Sequence, residues 1–172
     1  MKSITMKFGG TSVGSAVAIE NVVNIVTEAL GAGNRVAVVV SAMSGVTDAL
    51  LRSIDAAIKG DKWGYITISQ EIRDKHYEAI HQLMNAGDAR ENILNTINQL
   101  LTQHTELCEA IKILGEATPR IRDAIVSYGE RLSSRMVAAV LQAHGVRAQA
   151  FDAGEFVITN ADYQNAEPLW DE

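Results

Sequence analysis

The residues best suited to chemistry lie near the amino terminus, in the segment Lys7-Phe8-Gly9-Gly10-Thr11-Ser12-Val13-Gly14. A short apolar segment leads into it, and an amphipathic helical pattern follows it. Glycines let the backbone come close to a charged oxygen, and a helix start presents unpaired N–H groups with a partial positive charge. Lys7 adds a mobile full positive charge. This combination predicts a cradle for phosphate or carboxylate groups.

Two well-known phosphate motifs do not fit this segment. A P-loop places its lysine after the glycines, in the pattern G-x-x-x-x-G-K-[ST], whereas Lys7 precedes them. The dinucleotide fingerprint G-x-G-x-x-G is absent, because the glycines fall at positions 9, 10 and 14. A structural alternative stays open, since a tight turn between a strand and a helix also needs glycine and uses no ligand.

Two further segments carry hydroxyl and carboxylate groups at turns. Ser41 and Thr47 lie in Ser41-Ala-Met-Ser-Gly-Val-Thr47-Asp48, directly after an apolar β-branched run. Such hydroxyls most often serve as turn or N-cap groups. Glu130 follows Ser127 by three positions, and S-x-x-E is the pattern of a capping box, in which the glutamate only closes a helix start. Spacing alone therefore leaves both segments a structural interpretation beside a ligand-binding one.

The elements that position the first two segments follow from hydrophobic periodicity. Residues 4–8 and 35–40 predict short strands, and residues 19–30 predict a helix between them that ends at Gly31. Ser15 is the expected N-cap of this helix. Strand, helix and strand in this order predict a βαβ unit with parallel strands. The run at 35–40 is typical of a strand that is buried on both faces.

A block of helices is predicted next. Helical patterns cover residues 50–58, 65–85, 90–114 and 132–141, and short strands are predicted at 147–151 and 155–158. The first pattern puts Leu50, Leu51, Ile54 and Ile58 on one helical face. The turn Asn85-Ala-Gly-Asp88 joins the two longest patterns and favours an antiparallel hairpin. Thr118 and Pro119 are typical of an N-cap and a first helical position.

Length, charge and cysteine content exclude several classes of protein. The chain has 172 residues, which fits one domain, and a formal net charge of −6, which gives no basic footprint for nucleic acid. No apolar run is long enough to span a membrane, and the first residues do not resemble a secretory signal. Cys108, the single cysteine, excludes an internal disulfide and a multi-cysteine metal site. We expect a cytoplasmic protein with no metal ligands of its own. Cys108 is expected to pack in the core, and His76 to be packed or partly exposed rather than catalytic.

Three separated segments share the order and spacing of one known family: residues 7–14, residues 39–48 and residues 118–134. In these segments the chain resembles the aspartate kinases, which have the amino-acid-kinase (carbamate-kinase-like) fold. Thr159-Asn160 and Ala166-Glu167-Pro168 also look like that family. The resemblance implies a three-layer αβα fold with a mostly parallel sheet and a helical block. This chain would be its amino-terminal, aspartate-binding portion.

The resemblance also implies an activity and a role for each candidate residue. The family phosphorylates the side-chain carboxylate of L-aspartate with ATP, and Mg²⁺ arrives bound to the nucleotide. Lys7 would neutralise the phosphoryl group in flight, and the ATP-phosphate cradle would be lined by Phe8, Gly9, Gly10, Thr11 and Ser12. Ser41 and Thr47 would lie near aspartate, and Glu130 would accept hydrogen bonds from the ammonium group. An ionised carboxylate nucleophile needs no general base, so positioning and charge stabilisation carry the chemistry.

The resemblance further implies that the nucleotide-binding half and the regulatory domains have no counterpart in residues 1–172. We therefore expect this chain to be inactive alone and the intact protein to be a homo-oligomer. Two alternatives stay open. One is another enzyme of the same fold, such as an N-acetylglutamate, glutamate or uridylate kinase. The other is a non-catalytic fragment that binds aspartate.

Overall fold

The computed structural model describes residues 1–170, and its elements follow the predicted order as far as Gly145. Two strands are present among these residues: β1 (Ser3–Phe8) and β2 (Arg35–Val40). The helices are α1 (Ala16–Gly31), α2 (Val46–Ile58), α3 (Lys62–Leu83), α4 (Asp88–Leu114), α5 (Pro119–Val126) and α6 (Tyr128–Ala143). A single 3-10 turn, Ala153–Glu155, follows them.

The βαβ unit forms as predicted. β1 and β2 pair in parallel, with Lys7 opposite Val39 and Phe8 opposite Val40. α1 connects the two strands, and the Ser15 side chain accepts a hydrogen bond from the Ala18 amide at 3.3 Å, which confirms its N-cap role. The carboxyl ends of both strands therefore lie side by side, where ligands bind in open α/β sheets.

The prediction that β2 is buried on both faces is wrong for the described residues. Burial alternates along both strands, so that Phe8 and Val40 pack against the core while Lys7 and Val39 are exposed. The reason is the extent of the sheet. It has two strands, and within residues 1–170 only one of its faces is covered by helices.

The helical block contains the expected antiparallel hairpin. The Tyr77 hydroxyl on α3 donates to the Leu94 carbonyl on α4 at 3.1 Å. The Tyr65 hydroxyl, near the start of α3, donates to Glu109, near the end of α4, as an antiparallel pair requires. α2 lies against this hairpin and buries Leu50 and Ile54 completely. Leu51 was expected on the same face but is 39% exposed, because it lies one helical step away from Leu50, toward solvent.

Polar side chains are buried between α2 and α4. Because the Ser53 hydroxyl donates its only proton to the Leu50 carbonyl (2.7 Å), its oxygen must accept from His104 Nε2 at 2.9 Å. His76 on α3 is fully buried and bonds the Ile72 carbonyl through Nδ1 at 2.7 Å. Burial lowers the pKa of each histidine to about 4. The fully buried Cys108 thus belongs to the core, as predicted, and His76 is packed rather than partly exposed.

The strands predicted at 147–151 and 155–158 do not form. Residues 147–152 run without a ladder partner among the described residues, and the 3-10 turn replaces the second strand. One antiparallel bridge joins Thr159 to Pro168. A strand requires a neighbouring backbone to accept and donate its hydrogen bonds, and sequence periodicity does not reveal whether one is present.

No helix within residues 1–170 is long and apolar enough to cross a membrane.

Candidate active site

Two loops meet at the carboxyl ends of the parallel strands. Residues 9–15 follow β1, and residues 41–45 follow β2. The Ser41 amide donates to the Phe8 carbonyl at 3.0 Å, which carries the ladder one bond beyond the strands. The segments predicted to bind phosphate and aspartate are therefore neighbours in space.

Gly10 brings the two loops together. A Cβ on Gly10 would lie 2.9 Å from the Ala42 carbonyl oxygen, closer than real side chains approach backbone. A Cβ on Gly9 would meet nothing within 4 Å. Packing between the two loops, rather than the geometry of a tight turn, thus accounts for Gly10, and it does not account for Gly9.

The Lys7 side chain projects from the exposed face of the sheet at the end of β1. In the described part of the chain its ammonium group has no hydrogen-bond or ion-pair partner. The amides of Gly9 and Gly10, also judged within residues 1–170, donate to no protein acceptor. A positive charge and free N–H groups thus stand next to one another, which is a composition suited to an oxyanion.

Thr47 does not cap a helix. The N-cap of α2 is Gly45, which has a positive φ of 80° and makes no side-chain cap. Thr47 is the second residue of α2 and is half-buried, as is Ser41 in the preceding loop. As far as the described residues go, neither hydroxyl forms a hydrogen bond with protein, so both remain available to a ligand.

The capping-box interpretation of Glu130 is wrong. Ser127 has helical backbone angles (φ −59°, ψ −20°), and its hydroxyl donates to the Ala124 carbonyl at 2.7 Å. A capping serine needs an extended backbone and an accepting side chain. The Glu130 carboxylate instead accepts a hydrogen bond from the Ala42 amide at 3.2 Å. It therefore lies at the loop after β2, beside the other candidate residues.

Sequence reasoning missed two residues of α6 that hold the same loop. The fully buried Ser133 hydroxyl donates to the Ser41 carbonyl at 2.6 Å. Gly129 lies so close to Ala42 that a Cβ on Gly129 would be 2.6 Å from the Ala42 Cβ. A glycine and a serine four positions apart share one helical face, and this spacing was the available signal for a close helix contact.

The outer side of α6 is tied to the segment that follows it. Arg135 bonds one Asp152 carboxylate oxygen at 2.6 Å, and Arg131 bonds the other at 3.2 Å. The Arg131 guanidinium also lies over the Tyr128 ring, 4.7 Å from its centroid. Burial acts to raise the pKa of Asp152, but the two guanidinium groups outweigh it and hold that pKa below its usual range. These two ion pairs help to fix the position of α6, and hence that of Glu130.

Two cavities lie away from these residues. One, of about 380 Å³, adjoins the turn at residues 83–89, and the other, of about 340 Å³, runs between α3 and α4 near Tyr65 and Glu109. Neither is lined by a candidate residue. Neither therefore offers a pocket for adenine and ribose next to Lys7.

Several known proteins are similar to this chain over most of its length. A family model described as the amino acid kinase family matches residues 2–171. The aspartokinase of Candida albicans is 33% identical over 167 residues, which cover 94% of this chain and 30% of that protein. The bifunctional aspartokinase/homoserine dehydrogenase 1 of Zea mays chloroplasts is 33% identical over 159 residues, covering 92% of this chain and 17% of that protein.

A solved structure matches in three dimensions as well. E. coli aspartokinase III, in complex with aspartate and ADP in its R-state, superposes with a TM-score of 0.81 at 30% sequence identity. The match covers 98% of this chain and 35% of that one. The expected αβα fold is thereby confirmed, and the chain spans about a third of the length of the aspartokinases that it matches.

Proposed function

Since the chain belongs to the amino acid kinase family, we propose that it forms the aspartate-binding and phosphoryl-stabilising part of an aspartate kinase. Such an enzyme transfers the γ-phosphoryl group of ATP to the side-chain carboxylate of L-aspartate. The product, 4-phospho-L-aspartate, is the first intermediate toward lysine, threonine and methionine. The observation that carries the proposal is the meeting of the 7–14 loop, the 41–47 segment and Glu130 at one edge of the sheet.

The phosphoryl side of the site consists of Lys7 and the glycine loop. The reaction brings an anionic carboxylate up to an anionic phosphoryl group, so its main requirement is charge stabilisation in a fixed geometry. The ammonium group of Lys7 and the amides of Gly9 and Gly10 supply donors that no protein acceptor in residues 1–170 uses. Thr11 and Ser12 complete the cradle, whereas Phe8, which was expected to line it, packs its side chain against the core and uses its carbonyl to accept from Ser41.

The aspartate side consists of Glu130, Ser41 and Thr47. One Glu130 oxygen accepts from the Ala42 amide, and the second makes no hydrogen bond within the described residues. That second oxygen is suited to the substrate ammonium, because a charge-assisted hydrogen bond is roughly twice as strong as a neutral one. The hydroxyls of Ser41 and Thr47 donate to the carboxylates of aspartate.

The groups that hold the nucleotide lie outside residues 1–172 in this proposal. It is supported by the share of the aspartokinases that the chain spans. Mg²⁺ arrives with the phosphates of ATP rather than on ligands of this chain. A homo-oligomer of the intact protein and a cytoplasmic location stay predictions from sequence.

Isothermal titration calorimetry with the purified chain tests the aspartate site. We expect L-aspartate to bind, and N-acetyl-L-aspartate not to bind, because acetylation removes the charge that Glu130 recognises. L-glutamate, N-acetyl-L-glutamate and UMP distinguish the other enzymes of this fold. Binding of one of these in preference to L-aspartate would contradict the proposal.

A coupled ADP-release assay tests the division of the site. We expect no aspartate-dependent turnover from the chain alone, and turnover from a longer polypeptide that contains it. Turnover by the chain alone would show that it holds ATP itself. Aspartate binding without turnover in any longer polypeptide would favour a non-catalytic binding role.

A further inference from the structure

We propose that Ser133 is a positioning residue of the aspartate site, and that it acts through the peptide group between Ser41 and Ala42. The inference rests on the proposed function, from which Glu130 and Ser41 are taken as aspartate-binding residues. Ser133 itself contacts no ligand in this proposal. It sets the orientation of the loop that does.

α6 holds both polar atoms of one peptide group. The Ser133 hydroxyl donates to the Ser41 carbonyl at 2.6 Å, and the Glu130 carboxylate accepts from the Ala42 amide at 3.2 Å. The carbonyl and the amide belong to the same planar unit, so the two bonds define its orientation together. Glu130 and Ser133 are three positions apart and so share one side of α6.

The two contacts favour the same orientation of the peptide. If the peptide rotated by half a turn, the Ser41 carbonyl oxygen would lose its Ser133 donor and would face the Glu130 carboxylate, which has no proton to donate. Gly129 permits this arrangement because a side chain there would collide with Ala42. The loop is thus held in one state by a donor, an acceptor and a close contact on α6.

Loss of the Ser133 hydroxyl affects Glu130 indirectly. The half-buried Ser41 carbonyl would lose its donor. Among residues 1–170, Glu130 would then be the one remaining hydrogen-bond partner of this peptide group. The positions of Ser41 and of the second Glu130 oxygen would therefore vary more. Aspartate would bind more weakly although every proposed contact residue is still present.

Ser134 provides a matched control on the same helix. Its hydroxyl donates to the Arg131 carbonyl within α6 at 3.2 Å and does not reach the loop. We expect Ser133→Ala to raise the Kd for L-aspartate about tenfold, since 1.4 kcal/mol corresponds to a factor of ten. Ser134→Ala should leave the Kd within about twofold, because the half-buried Ser134 hydroxyl contacts only Arg131 and, at 3.5 Å, Arg135 among residues 1–170.

Amide hydrogen exchange at Ala42, followed by NMR, reports on the peptide without any ligand. We expect selectively faster exchange at Ala42 in Ser133→Ala, with core amides such as that of Ile97 unchanged, and wild-type exchange in Ser134→Ala. A merely structural role would instead speed exchange throughout the core. Ser133→Cys, whose S–H is a weaker donor, should lie between wild type and Ser133→Ala, and it replaces Ser133→Ala if that variant does not fold.

An unchanged Kd in Ser133→Ala would overturn the inference if the wild-type chain binds aspartate. If the wild type does not bind aspartate, the proposed function fails. Hydrogen exchange at the Ala42 amide then still tests whether Ser133 orients the peptide. Faster exchange there in Ser133→Ala alone would support Ser133 as the residue that orients the peptide. Equal exchange in both serine variants would overturn it.

Discussion

The Glu130 carboxylate accepts a hydrogen bond from the Ala42 amide at 3.2 Å, across 88 positions of the chain. The contact joins the first turn of α6 to the loop after β2. It brings the only carboxylate among the candidate residues to the edge of the sheet where the glycine loop also lies. The architecture of the site depends on this long-range contact, and the predictions below test its parts.

Replacing Glu130 by Gln should weaken aspartate binding without unfolding the protein. The glutamine oxygen can still accept from the Ala42 amide, but the charge that faces the substrate ammonium is lost. Since a hydrogen bond to a charged group contributes about 1.5–3 kcal/mol, the Kd should rise about tenfold or more. Calorimetry measures the Kd and thermal unfolding the stability. If the variant were less stable but its Kd for aspartate unchanged, the role of Glu130 would be purely structural.

Replacing Lys7 by Ala should lower turnover far more than aspartate affinity. Its charge acts on the transferring phosphoryl group, and loss of one preorganised donor of this kind costs about 10²–10³ in rate. Steady-state kinetics of an active protein that contains this chain would give kcat and KM separately. Lys2→Ala, on the exposed residue just before β1, is the control and should leave both unchanged. A kcat that survives Lys7→Ala would rule out the role.

Gly10→Ala and Gly9→Ala should differ in stability although the residues are adjacent. The new Cβ at position 10 would lie 2.9 Å from the Ala42 oxygen, whereas at position 9 it would meet nothing within 4 Å. We expect Gly10→Ala to lower the free energy of unfolding by about 1–3 kcal/mol, as overpacking does, and Gly9→Ala to be near neutral. Urea denaturation measures both. Equal stabilities would show that the two loops do not pack this closely.

Stability should fall as the pH is lowered from about 6.5 toward 4. An unfolded histidine titrates near 6.5, whereas burial lowers the pKa of His76 and of His104 to about 4 in the folded protein. Between these values the unfolded state binds more protons, so acid favours unfolding. The loss of unfolding free energy begins near pH 6.5 and is largely complete near pH 4. It amounts to about 3 kcal/mol for each histidine.

Urea denaturation over this pH range measures the effect. His76→Gln should reduce the dependence of the unfolding free energy on pH, because it removes one titrating group. His81→Gln, on an exposed position of the same helix, is the matched control for the effect of the substitution itself. If His76→Gln and the wild type show the same pH dependence, His76 is not a buried neutral group.

Cys108 should be unreactive in the folded protein. Its thiol is fully buried, and burial raises its pKa to about 11, so little thiolate forms near neutral pH. We expect the reaction with a disulfide reagent such as DTNB to require unfolding and to accelerate across the urea transition. The unfolded chain in excess denaturant is the control for full reactivity. Rapid labelling under native conditions would show that the space between α2 and α4 opens.

The local sequence was sufficient for β1, α1 and β2, for the N-caps at Ser15 and Thr118, and for the α3–α4 hairpin. Each of these depends on a helical period, an alternation or a turn residue within a few positions, and such signals act locally. The three segments of the candidate site were also visible in sequence, because their residue types, order and spacing resemble those of the aspartate kinases. The sequence did not show how those segments come together in space.

Tertiary structure decided the features that depend on distant partners. Ser127-x-x-Glu130 has the spacing of a capping box, yet Glu130 bonds Ala42, since Ser127 continues the helical path from α5 into α6. Residues 147–151 alternate like a strand, but no neighbouring backbone within residues 1–170 pairs with them. The sequence pattern of a segment shows which structure that segment can form by itself. A hydrogen bond or a buried contact also needs a second segment, and only the folded chain shows which segment that is.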